Sequence, residues 1–326
     1  MIGFIKGILA VILSALSIFF SPVFGDFTAD TTPVKDDCKL NFATFSDVHM
    51  TKETARRDML RFGLDDLENF SSPLDALILT GDLTDHGQEQ EWEMLKEAFS
   101  TYNPAETLIL AQGNHDTWTE DDGYNLARTY FIKYNKEISG REIEKEYYST
   151  KINGYTFIVL ASETDRTAAY MSDEQLVWLA SEMEKASEDG LPIFVICHWP
   201  INQTHGLPVT WGEEDMEPDD GGIGDQSARV EEILKSYKNV FLISGHIHNG
   251  LVNDNQKDVF GYVSVESDGS FHSINLPSYM YMTLRGRIAN GTGFCFEVYD
   301  NEVILRARSF SAGVWYTDYN WTIDLV

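Results

Sequence analysis

Asn41-Phe42-Ala43-Thr44-Phe45-Ser46-Asp47-Val48-His49 is the stretch that decides the architecture. A short, mostly apolar run breaks abruptly into Asp-x-His. Runs of this length bounded by polar or turn residues read as buried strands. The pattern then recurs along the chain. Asp75–Thr80 runs into Gly81-Asp82, with Gly87 closing the loop that follows. Thr107–Gln112 runs into Gly113-Asn114-His115-Asp116, Ile193–Cys197 into His198-Trp199-Pro200, and Val240–Ser244 into Gly245-His246-Ile247-His248. Phe157–Ala161 is a further run of the same kind. In open α/β sheets ligands bind beyond the carboxyl ends of the strands. These five polar groups, far apart in sequence, are therefore expected to converge.

Helical patterns separate the runs. Leu176, Leu179, Ala180 and Met183 follow the i, i+3, i+4, i+7 rule, and Ser172 with Gln175 forms a capping-box signature before them. Further helices are expected over Thr54–Phe70, Gln88–Tyr102, Tyr124–Ile138 and Gln226–Tyr237. Strand–helix alternation over this length implies an α/β sheet with helices on its faces. After Leu251 the pattern turns to hairpins. Asp300-Asn301 separates the strand-like runs Phe294–Tyr299 and Val303–Arg308. The expected organisation is one domain over residues 26–326. Its motif-bearing α/β part covers 39–250, and a strand-rich extension of the second sheet covers 251–326. Glu213–Asp225, acidic and rich in glycine, is expected to be a surface loop near the site.

The chain has 326 residues, enough for one large or two ordinary domains, and 43% of them are apolar. That composition supplies a full core and excludes a disordered chain. Three cysteines exclude a small disulfide scaffold. With 24 basic and 52 acidic residues the net charge is −28, which argues against general nucleic-acid binding. It says little about a small anion at a metal site, where bound cations dominate the local field. At the N-terminus, Lys6 precedes the apolar run Gly7–Phe20, followed by Pro22 and Gly25. Residues 1–25 are expected to be a secretory signal peptide cut after Gly25, which makes the chain secreted or extracytoplasmic. The rival reading is an uncleaved anchor, which would be the one route to a membrane. Export would permit a bridge between Cys38 and Cys295, while Cys197 reads as a buried free thiol.

The strand ends offer Asp47, His49, Asp82, Asn114, His198, His246 and His248 as ligands, with His115 beside them. These oxygen and nitrogen donors exceed what one tetrahedral site needs and suit two divalent ions, one aspartate bridging them. Side chains alternate along a strand, so the thiol of Cys197 points away from His198. A site without thiolate favours manganese, iron or zinc in a working centre over a structural zinc.

Taken in order, Asp47-x-His49, Gly81-Asp82, Gly113-Asn114-His115-Asp116, His198 and Gly245-His246-x-His248 resemble the calcineurin-like metallophosphoesterase superfamily, over residues 39 to 250. The resemblance implies a four-layer α/β/β/α sandwich of two mixed sheets flanked by helices, with a dinuclear metal centre. It assigns Asp47, His49, Asp82 and His248 to one ion, and Asp82, Asn114, His198 and His246 to the other. It implies that His115 protonates the leaving group, that Asp116 orients His115, and that a hydroxide bridging the ions attacks phosphorus. Purple acid phosphatases carry a tyrosine ligand soon after Gly-Asp, whereas Leu83-Thr84-Asp85-His86-Gly87 stands here. The tail is too short for the substrate domain of secreted 5′-nucleotidases. Asp116 and the His198-x-Pro200 sequence resemble instead the cyclic-nucleotide phosphodiesterase and sphingomyelinase-like branches. The expected function is a dinuclear metal-dependent phosphoesterase acting on a small-molecule phosphodiester or phosphomonoester. Alternatives are a nucleotide pyrophosphate or other specialised hydrolase, or a catalytically silent metal-binding module of the same fold. His205 could touch a substrate phosphate, against an ordinary loop role. Trp199, Trp211 and Tyr124 could line a pocket, against packing. His86 is expected to face solvent, and His272 to be structural.

Overall fold

The computed structural model describes residues 36–70, 72–118, 123–164, 167–212, 217–253, 261–280 and 290–326. The expected signal peptide and residues 213–216 of the acidic loop lie outside them. Successive side chains of a strand point to opposite faces, and the central strands here are apolar on both. In β1 (Leu40–Phe45), Leu40 and Phe42 face one core while Ala43 and Phe45 face another. The same split holds in β2 (Ala76–Thr80) and β3 (Thr107–Ala111), and across the molecule in β5 (Tyr155–Val159), β6 (Ile193–Ile196) and β7 (Val240–Ser244). A strand buried on both faces needs cover on both, and that requirement produces the layers.

Two mixed sheets lie face to face. In the first, β1, β2 and β3 are parallel, and β10 (Thr292–Val298) runs antiparallel to β1. β11 (Glu302–Ser309), β12 (Val314–Trp315) and β13 (Trp321–Asp324) complete it. The second is ordered β4-β5-β6-β7-β9-β8, with β5, β6, β7 and β9 (Phe271–Asn275) parallel, and β4 (Tyr148–Ile152) and β8 (Val265–Asp268) antiparallel at its edges. Aromatic rings fill the space between the sheets. Phe42 stacks on Phe296 at 4.6 Å and meets Phe157 and Phe194 edge-on at 5.4 and 5.1 Å.

Helices α1 (Thr54–Glu68), α2 (Glu89–Phe99) and α3 (Gly123–Ser139) cover the outer face of the first sheet through Leu60, Leu64, Trp92, Leu95 and Phe131. Helices α4 (Asp173–Ser187) and α5 (Ser227–Lys235) cover the second through Leu176, Leu179, Met183, Val230 and Leu234. The architecture is the expected α/β/β/α sandwich. Ser172 caps α4 by accepting from the Gln175 backbone at 3.3 Å, but the Gln175 side chain bonds Ala161 rather than closing a box. The full reciprocal box stands at α2, between Gln88 and Glu91.

Three expectations need correction. Residues 251–326 do not form an extension of the second sheet alone. β8 and β9 join it, but β10 to β13 complete the first sheet, because the backbone N–H and C=O groups on the free edge of β1 need a strand to pair with, and β10 supplies it. Sequence reading also passed over β4, although Asn153-Gly154, both at positive φ, is a strong hairpin turn. The third concerns the disulfide. Leu40 opposes Val298 and Ala43 opposes Cys295, so Cys38 lies five register positions from Cys295, roughly 16 Å at strand rise. All three cysteines are free, and Cys197 is buried under α4 and α5 with its thiol pushed up to about 12 by burial.

Candidate metal centre

Because β1, β2 and β3 run parallel, Asp47, His49, Asp82 and Asn114 leave the first sheet at one end. β6 and β7 deliver His198, His246 and His248 from the second sheet to the same place. Main-chain bonds lock the ends together. Asp47 N–H donates to Gly81 O at 3.1 Å, His49 N–H to Asp82 O at 2.8 Å, and Gly245 N–H to His198 O at 2.9 Å. His246 N–H crosses between sheets to Asp47 Oδ1 at 3.2 Å. Asp47, His49, Asp82, His246 and His248 all have left-handed φ, between 42° and 71°. Non-glycine residues adopt that region at a cost, and such strain gathers at functional sites. Here it turns each side chain sharply off its strand axis.

Two motif glycines are required by the closeness of the sheets. A Cβ on Gly81, itself at φ 94°, would meet His198 Cγ at 2.6 Å. A Cβ on Gly245 would meet Asp47 Oδ2 at 2.7 Å and would clash with Ser46 Oγ. Each glycine thus makes room for a polar residue of the opposite sheet.

Among the described residues the donors form three groups, Asp47, His49, Asp82 and His248, then Asp82, His198 and His246, and at the rim His49, Asp85 and His115, with all ligand atoms of a group within 4.8 Å of one another. Asp82 belongs to the first two. Its Oδ2 lies 3.2 Å from His198 Nε2, 3.5 Å from His49 Nε2 and 4.0 Å from His248 Nε2. Asp47 Oδ1 lies 3.1 Å from His248 Nε2, and the Nε2 atoms of His49 and His248 are 2.9 Å apart. His198 Nδ1–H donates to Thr80 O at 2.8 Å, which turns Nε2 to the centre. Asp47 Oδ2, Asn114 Oδ1 and His246 Nε2 are buried and make no hydrogen bond. Buried polar atoms normally have partners. Orphaned lone pairs converging from carboxylate, amide and imidazole fit divalent cations, and the shared Asp82 fits two of them.

The electrostatics agree. Burial alone would raise the Asp47 carboxyl, but the imidazoles of His248 and His198 pull it down to about 2. Burial opposes charge on His198, yet the Asp82 carboxylate beside it raises it to about 9. His246 is driven well below the usual imidazole range by burial and by His198. A proton on His198 stands where a metal charge would.

His115 sits at the rim of the centre. Its backbone N–H donates to Asp82 Oδ1 at 2.9 Å, and its Nδ1–H donates to Asp85 O at 2.8 Å. Asp116 does not have the orienting role expected of it. Its Oδ1 accepts from Thr84 N–H and Thr84 Oγ1–H at 2.8 and 2.7 Å, and its Oδ2 from Gly113 and Leu83 N–H at 2.9 and 3.1 Å. It therefore braces the loop that carries Asp82. The His115 ring is held instead by Asp85, missed in the sequence. Besides holding His115 by its carbonyl, it sets its carboxylate 3.2 Å from His49 Nδ1. Its position three residues after Asp82 was the available signal.

His205 is a packing residue, not a substrate contact. Its ring is buried, with Nδ1 2.8 Å from Val263 O and Nε2 2.9 Å from Ser273 Oγ. Trp199 is fully buried beneath α4 and α5. Trp211 stacks on His246 at 4.5 Å and 20°, at the edge of the site. Tyr124 is half-buried at the start of α3. His86 is largely exposed, and His272 packs on Phe241 within the second sheet.

A model of the calcineurin-like phosphoesterase family matches residues 40–250. A protein of Arcobacter nitrofigilis named "Probable glycerophosphodiester phosphodiesterase" is 25% identical over 186 residues, covering 56% of this chain and 59% of its own length. A "Probable cyclic nucleotide phosphodiesterase" of Rhodococcus erythropolis is 29% identical over 180 residues, 53% of this chain and 51% of its own. The chain thus spans little more than half of either relative. Among solved structures, a dimetal phosphatase from Danio rerio superposes with a TM-score of 0.57 at 12% identity, covering 89% of this chain and 100% of the other. A purple acid phosphatase from yellow lupin gives 0.58 at 14%, covering 90% and 55%. At these identities the likeness is one of fold.

Proposed function

The chain belongs to the calcineurin-like phosphoesterase family, and from that premise we propose that it hydrolyses small-molecule phosphodiesters in preference to monoesters, and does so outside the cytoplasm. The observation that carries the reading is the pair of buried donor groups sharing Asp82, with His115 at their rim. Two divalent ions held there would supply an activated water at neutral pH and a clamp on the phosphoryl oxygens. The chain's own part is positional. Asp82 and Asp47 hold the centre from the first sheet, while His198 and His246 hold it from the second. The Asp85 carbonyl accepts from His115 Nδ1–H, so that the protonated ring keeps Nε2–H as the proton for the departing alkoxide and is left neutral once it has given it up. The diester preference draws support from the names of the two relatives. The extracytoplasmic location rests on the N-terminal apolar run alone.

The test compares a chromogenic phosphodiester with the matching monoester. It uses protein stripped of metal and refilled with manganese, beside Asp82→Ala. Manganese-dependent diester turnover that disappears in the variant is the expected result. Turnover of the monoester alone would replace the diesterase with a phosphatase. Metal binding without turnover of either would favour a silent binding module.

A further inference from the structure

Trp118 follows directly on the short 3-10 helix His115–Thr117, and its indole lies against the His115 imidazole, centroids 4.2 Å apart and rings tilted by 39°. It is nevertheless 39% exposed. An exposed indole beside the proposed acid leaves apolar ring surface available to a partner, since burial of such a ring is ordinarily favourable. Among the described residues, the Trp118 indole makes its ring contact with His115. His115 is held by its own backbone, by Asp85 and by the near-perpendicular ring of His49 at 4.5 Å. It does not need a tryptophan to fix it.

Geometry supplies a use. On one side of His115 stand His49 and the metal-ligand groups. The oxygen that His115 protonates is bonded to phosphorus on that side, and the organic group on that oxygen must extend away from it. Among the described residues, the Trp118 indole is an exposed ring in contact with the acid. We propose that Trp118 is a specificity-determining residue, whose exposed face stacks on a flat aromatic or heteroaromatic leaving group. This deepens, and rests on, the phosphoesterase reading above. The chemistry of the step is unchanged: the P–O bond to the leaving group breaks, and the proton from His115 Nε2 passes to the released oxygen.

The test uses two methyl phosphodiesters whose second alcohols are similar in acidity, 2-phenylethanol and 1-propanol. Released alcohol is measured with the manganese-loaded full chain. The ratio of kcat/KM for the phenylethyl ester over the propyl ester reads the subsite. It is expected to fall roughly two- to tenfold in Trp118→Ala, the worth of one aromatic pair, and to be kept in Trp118→Phe. A wild-type ratio near one, or a ratio unmoved in Trp118→Ala whatever the absolute rates, overturns the subsite and leaves the phosphoesterase reading standing. Failure of the wild type to cleave either ester overturns the diester preference, and the subsite with it.

Discussion

His198 turns Nε2 to within 3.2 Å of Asp82 Oδ2, and the carboxylate raises its imidazole to about 9 despite complete burial. Near neutral pH the metal-free chain therefore carries a proton there, which a ligating imidazole must give up. Loading with manganese at pH 7 is expected to release a proton, seen as a binding heat that varies with the buffer's ionisation enthalpy. Affinity should climb with pH to about 9 and flatten above it. Heat independent of buffer would remove His198 from the ligand set. Asp116 and His115, adjacent in sequence, should separate by experiment. His115→Ala is expected to lower kcat by roughly 10²–10⁴-fold while keeping the metals. Asp116→Ala strands the Leu83, Thr84 and Gly113 N–H groups and should cost about 1–3 kcal/mol in stability. Its melting temperature and metal content should drop, but the basic limb of its pH–rate profile should stay in place. Loss of that limb in Asp116→Ala would return the residue to the acid machinery.

At the level of elements, the site is two half-sites on two sheets, and the contacts of Gly81 and Gly245 measure how closely they approach. Gly81→Ala and Gly245→Ala are each expected to destabilise by roughly 1–3 kcal/mol, the usual cost of overpacking. They should also weaken metal binding more than Gly190→Ala, whose position is open. Equal metal affinity in all three would mean that the sheet ends tolerate separation. The strand ends were readable in the sequence because each apolar run stops at a polar ligand, a local signal. The role of Asp116 was not, since its partners Leu83 and Thr84 lie 33 and 32 residues away. Nor was the division of the tail. Phe294 and Phe296 read as strand residues in either sheet, and only the vacant side of β1 decides which one takes them.

For the whole molecule, the central consequence is that the first sheet is built from both ends of the described chain. β1 opens it and β10 closes it, with Phe42 stacked on Phe296 at the seam. Phe42→Ala is expected to cost about 3–5 kcal/mol. A chain ending at Asn290 loses β10 to β13, leaves the β1 edge unpaired and should be found in the insoluble fraction. Soluble, metal-binding protein from that truncation would show that residues 36–290 hold the core alone.

The seam also sets an order in time. Thr44 and Phe294, bonded to each other side by side, are 250 residues apart in the chain. At about 5–20 residues per second a ribosome takes roughly 10–50 s to travel between them. Throughout that interval Asp47 and His49 are already made, just beyond a strand that has no neighbour on one flank. The growing polypeptide must be kept from pairing that flank with another copy of itself until its own last strands emerge. The yield of active protein should therefore depend on translation speed and on the chaperones that wait beside the nascent chain.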